Sequence, residues 1–154
     1  MNLQMIEVTK KLHTHGEAIP APDFTVVLDY EQRTKGRLKA TTTTGEEVGL
    51  FLERGKVLRN GDILEASTGE LVRVQAAEEE LVVAHCGDWL TFSRCCYHLG
   101  NRHVPIQVEA LSLRMRPDYI LEEMLQQLGM TTNKTFSSFD PEQGAYSGGH
   151  HHHH

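Results

Sequence analysis

The ten histidines in this chain of 154 residues are its clearest chemical feature, because neutral imidazole is a good ligand for Ni(II), Cu(II) and Zn(II). Five of them, His150, His151, His152, His153 and His154, form a terminal run. A short His-rich tract binds divalent metal whatever its origin. It reads as a native tail, with the remnant of a purification tag as the other reading. The remaining histidines are His13, His15, His85, His98 and His103. His13 and His15 form a possible extra ligand pair, although a solvated loop is the plainer reading. His85 and Cys86 are adjacent, and adjacent side chains rarely meet, so they read as a strand end. The cysteines are Cys86, Cys95 and Cys96, an odd number with no Cys-x-x-Cys pair. The missing pair excludes a zinc ribbon, and the odd number argues against a disulfide scaffold and for a reducing compartment, the cytoplasm. The sequence holds no Gly-x-x-x-x-Gly-Lys, Gly-x-Ser-x-Gly or His-Glu-x-x-His, so no enzyme active site is expected.

His98 stands apart because of the element that carries it. The segment from about Trp89 to Leu99 reads as a helix, capped by Gly87 or Asp88 and stopped at Gly100-Asn101. At about 100° per residue, Trp89, Phe92, Cys96 and Leu99 lie within about 80° of one another and form the expected core face. His98 lies about 180° from Trp89, so its imidazole is expected to point away from that core. Cys95 shares its side at i and i+3, although a half-buried small hydrophobe is its plainer role. One outward imidazole does not hold a metal tightly. A dimer about a two-fold axis brings two copies of His98 together, and the terminal histidines supply further ligands. Such an exposed, incomplete shell suits a carrier better than a structural zinc.

The surrounding pattern divides the chain. Up to Ala76 there are 10 basic and 11 acidic residues; from Ala77 onward there are 5 and 10. The first part reads as short strands, among them Phe24–Leu28, Val48–Leu52 and Leu71–Val74, between glycine turns at Thr44-Gly45, Arg54-Gly55, Asn60-Gly61 and Thr68-Gly69. Asn60-Gly61 is a strong hairpin sequence, and no helical period is evident before Ala76. The second part reads strand, helix, strand, strand, helix, strand. Its first strand is Leu81–Ala84, and its middle strands are His103–Val108 and Leu111–Met115. Its second helix starts with Pro117 at the first position and ends at Gly129, and a last extended segment runs from Met130 towards Phe139. The expected class is α+β: a small all-β domain over residues 1–76, a ferredoxin-like βαββαβ domain over 77–140, and a flexible His-rich tail over 141–154. The net charge of −6 disfavours nucleic acid as a partner. With no apolar run long enough to span a bilayer, no membrane role is expected.

The octet Cys96-Tyr97-His98-Leu99-Gly100-Asn101-Arg102-His103 resembles the UreE family of nickel metallochaperones. Lys35-Gly36-Arg37, Gly61-Asp62-Ile63-Leu64, the run from Pro117 to Leu125 and the run from Pro141 to Tyr146 extend the resemblance over nearly the whole chain. It implies an N-terminal domain like a chaperone peptide-binding module, a ferredoxin-like C-terminal domain and a homodimer. It also implies Ni(II) as cargo, with Zn(II) or Cu(II) as competitors, and His98 as the nickel ligand at the dimer interface. The implied partners are the urease accessory GTPase and, through it, the apo-urease complex. His103 belongs to the motif without an implied ligand role. Some relatives carry a His-x-His pair before the second helix, where this chain has Met115, Arg116, Pro117, Asp118 and Tyr119; a second internal metal site is not expected there. The competing reading is a cytoplasmic nickel or zinc buffer or sensor with no delivery partner.

Overall fold

The computed structural model describes residues 5–12 and 21–144, which form two compact units dividing between Ala77 and Glu78. In the first unit, burial alternates along the strands over 37–41 and 71–76, as a half-covered sheet requires, whereas the strand over 47–51 buries three residues in a row. The strands are β1 (Ile6–Lys11), β2 (Phe24–Leu28), β3 (Arg37–Thr41), β4 (Glu47–Phe51), β5 (Ile63–Ala66) and β6 (Leu71–Ala76). They form one sheet in the order β2-β6-β5-β1-β4-β3. A bridge between Val26 and Thr42, and a hydrogen bond from the Thr43 N–H to the Thr25 carbonyl (2.9 Å), draw the two edges together, so the sheet is nearly closed. Val8, Val26, Val48, Leu50, Leu64 and Val72 fill its interior with no exposed surface.

Two details depart from the sequence pattern. Thr68-Gly69, not Asn60-Gly61, makes the hairpin that joins β5 to β6. Gly69 takes the left-handed conformation (φ 98°), and the Ala66 N–H donates to the Glu70 carbonyl at 2.8 Å. Asn60-Gly61 instead docks on β6: the Asn60 side chain accepts from the Ala76 N–H (2.9 Å) and the Gly61 N–H donates to Val74 (2.8 Å). The second departure is a single helical turn, α1 (Tyr30–Arg33). Four residues are too few to show a helical period, but Asp29 and Gln32 close a reciprocal capping box around it. The turn delivers Arg33 into the interior, where it is 1% exposed. Its Nε donates to the Leu28 carbonyl and its Nη1 to the Leu58 carbonyl, both at 3.3 Å.

The second unit contains β7 (Glu78–His85), α2 (Trp89–Asn101), β8 (Gln107–Glu109), β9 (Ser112–Met115), α3 (Tyr119–Leu128) and β10 (Thr131–Ser138). Its sheet has the order β10-β7-β9-β8 with every neighbouring pair antiparallel. This is the ferredoxin-like arrangement that the βαββαβ pattern implies. Val82, Ala84, Leu113 and Met115 on one face of the sheet meet Phe92, Cys95 and Leu99 of α2 and Leu125 of α3. Several boundaries shift from expectation, and β7 starts at Glu78 rather than at Leu81. Helix α2 runs through Gly100 and Asn101, and the left-handed residue after it is His103 (φ 58°). β8 therefore starts at Gln107 rather than at His103. Pro117 precedes the second helix instead of opening it. Asp118 is the N-cap, accepting from the Ile120 and Leu121 N–H groups at 3.1 Å while Glu122 Oε2 accepts from its own N–H at 3.0 Å. A carboxylate satisfies two free N–H groups there, which a proline ring does not. Gly129 (φ 111°) ends the helix as expected. Among the described residues, no helix is long and apolar enough to cross a membrane.

Candidate metal centre

Helix α2 positions His98, and Asp88 starts that helix by accepting the Thr91 N–H at 2.9 Å. The bond from the Thr91 backbone, then that from its hydroxyl, holds the Asp88 carboxyl below its ordinary value. The helix turns Phe92, Cys95 and Leu99 inward. Trp89, assigned to the core face by the angular reading, is instead 59% exposed, its ring edge-on to Phe92 at 5.8 Å. The buried stripe is set by residues 92, 95 and 99, and Trp89 lies at its margin, where the sheet does not cover it. With Leu90 and Tyr97 it leaves an apolar row in solvent. Leu90 and Tyr97 sit about 100° and 80° around the helix from Trp89, so helical arithmetic places them off the core stripe. Apolar side chains at such positions were the available sequence trace of this surface.

His98 is half-buried and touches one member of that row, Tyr97. The Tyr97 ring meets its imidazole edge-on, centroids 5.5 Å apart, and Arg102 Nη1 donates to its carbonyl at 3.1 Å. The imidazole is thus carried by a regular helix near its C-terminal end. Cys95 does not join it. Its side chain is fully buried, and burial, followed by the neighbouring Cys86 and Cys96, pushes the thiol up. Burial and then Cys86 also raise Cys96. A thiol kept protonated is a poor metal ligand. Alkylation of the native chain with iodoacetamide at pH 8 should therefore modify Cys95 last, after Cys86, by at least about an order of magnitude in rate. Peptide mapping of a time course reads the order, and early labelling of Cys95 would contradict its placement.

The other histidines do not complete a site. His85 is exposed at the end of β7, while Cys86 Sγ turns to the Asp88 carbonyl at 3.4 Å. His103 is exposed and lines an open cleft of about 470 Å³ with Val104, Pro105, Arg116, Pro117, Asp118 and Leu121. Where some relatives place the His-x-His pair, Met115 is buried in the core and Tyr119 is 83% exposed. Among the described residues, no three His, Cys, Asp or Glu side chains come together in a way that could hold a metal ion. His13, His15 and His150 to His154 lie outside the described residues. Within the described part of one chain, then, His98 is a lone half-buried imidazole on a regular helix, beside the exposed Tyr97.

The family profile described as "UreE urease accessory protein, C-terminal domain" matches residues 79–154, and its N-terminal-domain counterpart matches residues 5–77. A urease accessory protein UreE from Marinobacter nauticus is 47% identical over 153 residues, covering 93% of this chain and 83% of the relative. One from a Marinomonas species is 46% identical over 147 residues, covering 95% of this chain and 98% of its own length. A third, from Burkholderia thailandensis, is 51% identical over 137 residues, covering 89% of this chain and 64% of the relative.

Proposed function

The chain belongs to the UreE family of urease accessory proteins, and from this we propose that it binds Ni(II) and delivers it for assembly of the urease active site. The family places it in urease maturation as an accessory protein. The receiving partner in this proposal is the urease accessory GTPase, which passes the ion to the apo-urease complex in the cytoplasm. The second unit, with His98, binds the metal and joins two chains; the first unit is a peptide-binding module.

The observation that carries the proposal is the contact of His98 with Tyr97, at the end of the exposed row that Tyr97 forms with Leu90. Large apolar side chains in contiguous exposure mark interaction surfaces. A two-fold contact through this row would place two His98 side chains on one axis and supply two nitrogen ligands from rigid helices. His150 to His154 are the proposed source of the remaining ligands. A shell completed by tail side chains exchanges ligands readily, which a carrier requires and a structural site does not. Imidazole ligands also accept Zn(II) and Cu(II), and copper binds such sites tightest in general, so selectivity must come from geometry and supply.

Sedimentation equilibrium at micromolar concentration should give twice the chain mass, and Leu90→Asp together with Tyr97→Asp should give the monomer. A monomer for the unmodified chain, with and without nickel, would remove the two-fold site. The functional test is transfer: the nickel-loaded chain, mixed with the metal-free GTPase, should lose its ion faster than an equal load held by a chelator of matched affinity. Transfer no faster than from the chelator would favour a buffer with no delivery partner.

A further inference from the structure

The first unit carries a second feature, distant in sequence from His98. Strands β1 and β4 pair only as far as Val8 and Leu50. β1 then continues beside β5 to Lys11, while the chain leaves β4 at Phe51. Where the two strands part, a groove of about 230 Å³ opens between Thr9, Lys10 and Lys11 on one side and Lys35, Leu52, Glu53, Lys56 and Leu58 on the other. Its floor is apolar: Leu58 is 4% exposed and Leu52 is half-buried. Its rim holds four lysines against one glutamate.

The lysines are unequally committed. Lys11 is tied to Asp62 at 3.2 Å, both side chains partly buried. Lys10 meets Glu65 at 3.5 Å, and Lys56 meets Glu53 at 3.7 Å, with both members of the latter pair well exposed. Exposed pairs of this kind hold their members weakly. Lys35 makes no ion pair among the described residues. Lys35 and Lys56 are therefore available cations above an apolar floor.

We propose that this groove binds an extended acidic segment of a partner protein, with an apolar side chain on Leu52 and Leu58 and carboxylates at Lys35 and Lys56. This deepens, and rests on, the reading of the first unit as a peptide-binding module. An extended chain turns alternate side chains to opposite faces, so an acidic-apolar alternation presents apolar groups to the floor. The long lysine side chains reach round to the carboxylates from the rim. A nucleic acid fits less well, because no aromatic side chain lines the groove for bases to stack on.

The test is fluorescence anisotropy of a dye-labelled peptide alternating glutamate with leucine, titrated with the full chain. Binding should weaken as salt is raised, and Lys35→Glu combined with Lys56→Glu should cost about tenfold or more in affinity. Lys39→Glu, outside the groove on β3, should change it little. Unchanged thermal unfolding of the double variant establishes that the loss is not unfolding. If a lysine-leucine peptide binds as tightly, or the double variant binds as well as the unmodified chain, the acidic groove is wrong while the module reading stands. If no peptide of either charge binds, both fall. If a single-stranded oligonucleotide of equal charge displaces the peptide at equal concentration, the groove is a general polyanion site and the proposal is overturned.

Discussion

Replacing His98 with alanine is expected to remove the tightest nickel site of the chain while leaving weaker binding in place. The expected loss is about a hundredfold or more in the first dissociation constant, since losing even the hydrogen-bond partner of a metal ligand costs roughly 10–100-fold. The reasoning is one of preorganisation. His98 is fixed on a thirteen-residue helix whose inner face is locked into the core by Phe92, Cys95 and Leu99, so it loses little freedom on binding. Two-fold pairing doubles the effect of the substitution. Deleting residues 150–154 should do the reverse: fewer ions bound per dimer, with the first affinity only modestly weaker, because tethered ligands act mainly by raising local concentration. Calorimetric titration of the two variants separates these outcomes. If the deletion removes the tight site and His98→Ala does not, the tail is the receptor and the helix histidine is incidental.

Arg33→Ala is expected to destabilise the first unit by about 2–4 kcal/mol, a large share of the roughly 5–15 kcal/mol that holds an ordinary domain folded. The guanidinium is 1% exposed and serves two carbonyls, those of Leu28 and Leu58, from a single side chain. It also lies against the Tyr30 ring at 5.7 Å. Truncation takes that donor from the Leu58 carbonyl, at roughly 1–3 kcal/mol for an unsatisfied group, while the Leu28 carbonyl keeps the Ala77 N–H at 2.8 Å; it also opens a void along the former aliphatic stem. Leu58 closes the loop onto the interior, so that loop should loosen first. Arg33→Lys keeps the charge but not the fork, and should recover only part of the loss. Denaturant unfolding measures both variants. A midpoint unchanged for Arg33→Ala would mean that water takes over the donor's place without penalty.

Much of this architecture was legible beforehand, and the failures share a cause. The β-branched and apolar run Phe24–Leu28, the turn at Thr68-Gly69 and the helix stopped at Gly129 are local patterns with local consequences, and each element formed there, although Ile120 of that helix stays 77% exposed. Trp89 failed because angular arithmetic treats every apolar side chain as seeking the same core, although one at a margin can stay uncovered. Gly100 and Asn101 failed because both tolerate a left-handed turn without requiring one; the helix continued, and His103 took that conformation instead. β1 escaped notice because Ile6-Glu7-Val8-Thr9-Lys10-Lys11 buries only Val8 completely and carries two lysines. At the site, helical phase set His98 opposite Trp89, but the buried stripe runs through Phe92, Cys95 and Leu99, and His98 is half-buried at its edge. Cys95 was misjudged as half-buried because a small side chain says little about its own depth.

The near-closure of the first sheet has a consequence for how the chain survives at high concentration. A free strand edge is a template on which other chains can stack, and proteins that must remain dispersed have to hide it. Here the bridge from Val26 to Thr42 brings the two outer strands, β2 and β3, against each other, leaving little unpaired backbone to recruit a neighbour. In the second sheet one outer strand, β8, is only three residues long. The other, β10, reads Thr-Thr-Asn-Lys-Thr-Phe-Ser-Ser, where Phe136 is the only large apolar side chain and Lys134 sits two residues before it. Against polymerisation into fibrils, this chain is defended by its outline as much as by its charge.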